Sequence, residues 1–156
     1  DLRFPMGKRY EDLYTNYLAI SQAGHSAYGS DSRCGYRIRN SSQSKSTFSE
    51  REMDCVDMAE RLYSDVQVRY PALVQAAACR ALSANLHIFF MIPINSGDAY
   101  RHEIWSHIKL YRISVLLNGK ARLKARAAAL LSFLGCSLTY WMGDRLLTYY
   151  NYKRLS

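Results

Sequence analysis

The sequence predicts a mainly α-helical chain of about four to five helices, with a small extended, hairpin-like region near its amino terminus. Three observations carry that reading. Apolar residues recur at three- and four-residue spacing along most of the 156 residues. Residues that start and stop helices bracket those stretches. Short apolar strands do not alternate with helices, so a complete nucleotide-binding α/β domain is excluded from the chain.

The elements follow in order. Residues 8–22 place Leu13, Tyr17, Leu18 and Ile20 at roughly helical spacing, and Gly24 stands where that helix would stop. Residues 25–28 and 34–39 read as two short extended segments around a turn at Gly29-Ser30-Asp31-Ser32. Ser49 lies three residues before Glu52, the spacing of a capping box. The helix it opens carries Met53, Val56, Ala59 (or Glu60) and Tyr63 on one face. Pro71 suits the first turn of the next helix, because a proline there loses no helical hydrogen bond. That helix runs through Leu73, Ala77, Ala81, Ala84 and Ile88 and ends near Pro93. After the loop at 95–97, Asp98 caps a helix with Ile104, Ile108, Tyr111 and Val115 inward, ending at Asn118-Gly119. The last helix begins near Lys120 and extends toward Tyr152, with Gly135 and Gly143 as candidate breaks. The reading divides the chain into residues 1–48 and a helical region, 49–156.

Composition sets outer bounds. The length suits one domain with a real core, and 49% hydrophobic with 22% charged residues is ordinary for a globular protein. The chain opens on Asp1, and no basic start leads into an apolar run, so no signal peptide is read. A start inside a longer protein is the expectation. Cys34, Cys55, Cys79 and Cys136 are scattered without a CxxC pair, and free buried thiols are expected rather than disulfides. His102 and His107 are five apart, not the three or four that share a helix face. No histidine has metal-ligand spacing, and all four are read as core or surface residues.

Charge is unevenly placed. Residues 1–98 hold 11 Lys/Arg and 11 Asp/Glu, whereas residues 99–156 hold 10 Lys/Arg against Glu103 and Asp144. The whole excess of +8 therefore lies in the last third. An anionic membrane surface or a nucleic acid would complement it, and a solvated helix face is the alternative. Nucleic acid is disfavoured, because long apolar runs interrupt the basic residues and no helix-turn-helix or base-stacking pattern occurs. The 17 uncharged residues from 127 to 143, flanked by Lys120, Arg122, Lys124, Arg126 and Arg145, fit a helix lying in a membrane interface. A core helix or a homo-oligomer contact fits them too.

The most informative stretch is Phe4-Pro5-Met6-Gly7-Lys8-Arg9-Tyr10-Glu11-Asp12. A carboxylate in the first helical turn sits at the positive end of the helix dipole and stays ionised. It can then take a proton from a hydroxyl nucleophile, although acids in a first turn commonly serve only to stabilise the helix. The run "FPMGKRYEDLYTNYLAISQA" resembles the bacterial family-2 glycosyltransferases (GT-A type, inverting), in which "F-P-x-G-K-x-Y-E-D" introduces the acceptor-side helix. The likeness continues through "YRIRNSSQSKSTFSE" and the helical tail "EIWSHIKLYRISVLLNGKARLKARAAALLSFLG", so it spans nearly the whole chain.

The resemblance implies that Asp12 is the catalytic base and Glu11 its supporting neighbour. Residues 1–48 would then be the acceptor-side end of a catalytic domain. Arg37 and Arg39, which share a face of an extended segment, suit the donor diphosphate; surface arginines on an edge strand are the alternative. Cys34-Gly35 and Gly29-Ser30 depart from the family pattern around them. The family's apolar first strand and Asp-x-Asp metal motif do not occur here. A divalent ion (Mg or Mn) is therefore expected only for a full-length parent, and the chain alone is expected to be inactive. The implied partners are a nucleotide sugar and a glycan or lipid-linked acceptor. The implied location is the cytoplasm, peripheral at the inner face of the cell membrane through residues 120–156. A basic helical binding or oligomerisation module is the rival function.

Overall fold

The computed structural model describes residues 2–32, 34–35, 48–93, 98–143 and 145. Its helices are α1 (Glu11–Gln22), α2 (Asp54–Arg69), α3 (Val74–Met91), α4 (Asp98–Leu117) and α5 (Leu123–Leu131), followed by α6 at residues 136–143. Short 3-10 turns at Glu50–Met53 and Pro71–Leu73 lead into α2 and α3, and a third, Ser132–Leu134, follows α5.

Helix α3 is the centre of the core and packs against α2, α4 and α5. Its small buried residues Ala77, Ala78, Ala81 and Ala84 let the neighbouring backbones approach, and Leu82, Ile88 and Phe89 fill the space beyond them. Ile104, Ile108, Tyr111 and Val115 of α4 close the other side, the face their spacing predicts. Aromatic rings seal one end, with Phe89 at 5.3 Å from Trp105 and 5.8 Å from Tyr140 between centroids. Pro71–Met91 is the one stretch among the described residues long and apolar enough to cross a membrane; half of it is buried in the bundle, as a core helix would be.

A polar hub joins the three central helices. Tyr111 donates to Glu60 at 2.5 Å, Asn85 donates to the same carboxylate at 3.3 Å, and His107 Nδ1 lies 2.9 Å from it. Burial and that carboxylate push the Tyr111 hydroxyl well above the usual tyrosine range.

Helix α1 lies parallel to α2. Tyr10 pairs with Glu52, Tyr17 with Asp65 at 2.6 Å, and the Tyr70 hydroxyl with Ser21 O at 3.3 Å, so both helices advance together. Burial and the Asp65 contact push the Tyr17 hydroxyl up to about 12.

Several expectations are corrected. Ser49 makes no side-chain cap. Glu52, its supposed capping-box partner, is 1% exposed and turned toward the segment before α1. Ile20 is exposed and Thr15 is the buried residue of α1, because contact with α2 rather than the apolar pattern sets the inward face. Leu73 is 55% exposed, since it lies in the 3-10 turn before α3. Of the free cysteines, Cys34 is exposed and only Cys55 is buried. Of the two candidate breaks in the tail, Gly135 is one: at φ 97° and ψ 164° it separates the Ser132–Leu134 turn from α6. No strand occurs among the described residues, and 23–32 is irregular and exposed. Most of the second extended segment (36–39) and residues 146–156 of the tail lie outside the described residues.

Candidate functional site

The corner where the chain enters α1 concentrates the polar chemistry. Gly7 turns the backbone at φ 73°, and Tyr10, the residue preceding α1, is held at φ 54° and ψ 27°. A left-handed conformation is costly for a bulky L-residue and persists only where the surroundings enforce it. Here the enforcing contacts are visible. Lys8 Nζ binds Asp54 Oδ1 at 2.6 Å, and the Arg9 amide donates to Asp54 Oδ2 at 3.0 Å. The Arg9 guanidinium pairs with Glu52, and the Tyr10 hydroxyl donates to Glu52 Oε2 at 2.7 Å. Three consecutive side chains are thus clamped to two carboxylates at the start of α2.

The clamp sets where α1 begins, and therefore where Glu11 and Asp12 stand. Both occupy the first turn, at the positive end of the helix. Glu11 is half-buried and Asp12 is exposed. Asp12 makes no hydrogen bond or ion pair among the described residues, so its carboxylate is open to accept a proton from outside. Glu52 and Asp54, by contrast, are buried and engaged. Burial pushes the Asp54 carboxyl up, but hydrogen bonds from Lys8 and the Arg9 amide outweigh it and hold that group below the usual carboxylate range.

Residues of α2 and α3 complete the surroundings. The Cys55 thiol is pushed up to about 11, first by burial and with the Asp12 charge adding to it, while Arg80 opposes. His87 meets the Tyr10 ring edge-on at 6.2 Å. The bulk of protein around His87 and the Arg80 charge lower its pKa, which favours the neutral imidazole. Asp12 and Arg80 thus both act on the Cys55 thiol, with opposite sign.

Sequence reasoning singled out Asp12 and Glu11 but missed the Lys8, Arg9, Tyr10, Glu52 and Asp54 clamp. One signal was present: Glu52 and Asp54 flank Met53 and precede Cys55-Val56, acids set into an apolar run at the start of a core helix. Arg37 and Arg39 lie outside the described residues. The resemblance implies a divalent ion, yet no group of three or more His, Cys, Asp or Glu among the described residues could hold one. The described residues do not fit that ion. No family model, curated protein or solved structure matches the chain.

Proposed function

We propose that the chain is the acceptor-side part of an inverting glycosyltransferase that moves a sugar from a nucleotide-sugar donor to a glycan or lipid-linked acceptor. Asp12 is its general base. The acceptor hydroxyl gives its proton to the Asp12 carboxylate as its oxygen attacks the anomeric carbon, and the nucleoside diphosphate leaves from the opposite face. One attack of this kind inverts the anomeric configuration.

The observation that carries the reading is the contrast among the carboxylates of the α1 corner. Glu52 and Asp54 are buried and committed to the clamp, whereas Asp12 is exposed on a rigidly placed first turn. A base must be accessible and unengaged, and the exposure of Asp12 in the first turn of α1 supports that role. Glu11, half-buried beside it, adds charge at the same helix end. Arg37 and Arg39, which lie outside the described residues, are assigned to the donor diphosphate from the alternation of the sequence together with the resemblance.

Product stereochemistry tests the proposal. The full-length parent, given nucleotide sugars and hydroxyl acceptors, should yield a glycoside of inverted anomeric configuration by NMR, and the isolated chain should yield none. A retained configuration, or turnover by the purified chain alone, contradicts it.

A further inference from the structure

The +8 excess of the last third is not a uniform basic surface: its basic residues, taken with Arg80 of α3, include two contrasting groups. One group is turned into the protein. Arg112 donates to Ser132 O at 2.9 Å and lies 4.1 Å over the Phe133 ring; Arg126 donates to Leu116 O at 3.1 Å; Arg101 reaches Pro93 O at 2.5 Å. These guanidiniums satisfy carbonyls left open where helices end.

The second group surrounds a cleft. Between the first turns of α3 and the turn joining α4 to α5 lies a cavity of about 920 Å³. Arg80, Lys120 and Arg122 line it, and no acidic residue among the described residues does. None of the three is ion-paired among the described residues. The turn that carries two of them is well fixed. Asn118 is buried, its Oδ1 accepts the Lys120 amide at 2.9 Å, and its Nδ2 reaches Cys79 Sγ at 3.7 Å. Helix α5 begins at the same place with no side-chain cap and no acid in its first turn, which leaves its positive end uncompensated.

Apolar side chains stand beside this basic cleft where solvent should disfavour them. Leu73 and Leu117 line it at 55% and 77% exposure, and Leu123, next to Arg122, is 80% exposed. Leucines projecting beside unpaired cations match an interface that is apolar in depth and anionic at its surface. A soluble anion would answer the cations but not the leucines.

We propose that this end of the bundle docks on an anionic membrane, with a phospholipid phosphate seated among Arg80, Lys120 and Arg122 while Leu73, Leu117 and Leu123 enter the acyl boundary. The contact lies in the α3 and α4–α5 cleft, not in the apolar run around Trp141, which Gly135 divides between two short helical pieces. It does not depend on the sugar-transfer reading, which assigns no role to Arg80, Lys120 or Arg122.

Co-sedimentation of the chain with vesicles tests it. Phosphatidylglycerol in phosphatidylcholine vesicles should capture the chain, phosphatidylcholine alone should not, and added salt should weaken capture. Neutralising both turn cations, Lys120→Gln with Arg122→Gln, should weaken capture about 25-fold, at about five-fold for each basic residue. Exchanging them, Lys120→Arg with Arg122→Lys, should preserve it, and Trp141→Ser should leave it unchanged. Leu117→Ser with Leu123→Ser should remove the part of the binding that survives high salt. Unchanged capture by the neutralised variant, or equal capture by both vesicle types, overturns the proposal. So does absence of capture, or glycerol phosphate or duplex DNA binding through the same cations without vesicle capture.

Discussion

At the scale of single residues, the α1 corner shows how environment separates chemically similar groups. Asp12 and Asp54 are both near helix starts, yet one is open to solvent and the other is held by Lys8 and the Arg9 amide. The depressed Asp54 value has a consequence for stability. A carboxyl whose folded pKa lies below its unfolded value, about 3.9, contributes fully above that pH and loses the contribution as pH falls through the folded value. The clamp should therefore weaken below about pH 4. Asp54→Asn should lower stability at neutral pH and flatten the acid limb of a urea-midpoint against pH curve. An acid limb of unchanged slope would show that Asp54 does not carry it. Tyr10, with φ 54°, is strained in a way that no residue letter announces, because its conformation is enforced by Glu52, 42 positions away.

At the scale of elements, helix positions were largely legible and the details of their ends were not. The inward face of α4 follows directly from its apolar spacing, because that helix packs a single stripe against α3. Helix α1 defeats the same argument, since partner tyrosines and a polar clamp decide its orientation and leave Ile20 in solvent. The two candidate breaks in the tail behave differently. Gly135 is a true break, at a φ and ψ that only glycine adopts without strain, with the Thr139 amide donating to its carbonyl at 3.0 Å. Gly143 is buried within α6, where an added Cβ would run into the Phe90 ring. Gly135→Ala should cost about 1–3 kcal/mol, read as a lower urea midpoint with an unchanged slope. An unshifted midpoint would mean that the break tolerates an ordinary residue.

At the scale of the whole molecule, the helical class was legible from periodicity, and the charge asymmetry from composition. What sequence alone could not convey is which charges face inward: Arg101, Arg112 and Arg126 cap carbonyls, while Arg80, from outside the basic third, joins Lys120 and Arg122 at the cleft. The same holds for the candidate site. Glu11-Asp12 is legible as a motif, but its rigid placement depends on contacts between segments more than 40 residues apart, such as Lys8 with Asp54 (46 residues) and Tyr10 with Glu52 (42 residues). We propose that this placement serves catalysis by Asp12. The most direct test is Asp12→Asn, measured both for folding stability in this chain and for turnover in the full-length parent. Because the side chain is exposed and unengaged, stability should change by less than about 0.5 kcal/mol, whereas turnover should fall about 10²–10⁴-fold with donor binding preserved. Near-normal turnover in a stably folded Asp12→Asn enzyme would contradict the assignment of Asp12 as the base.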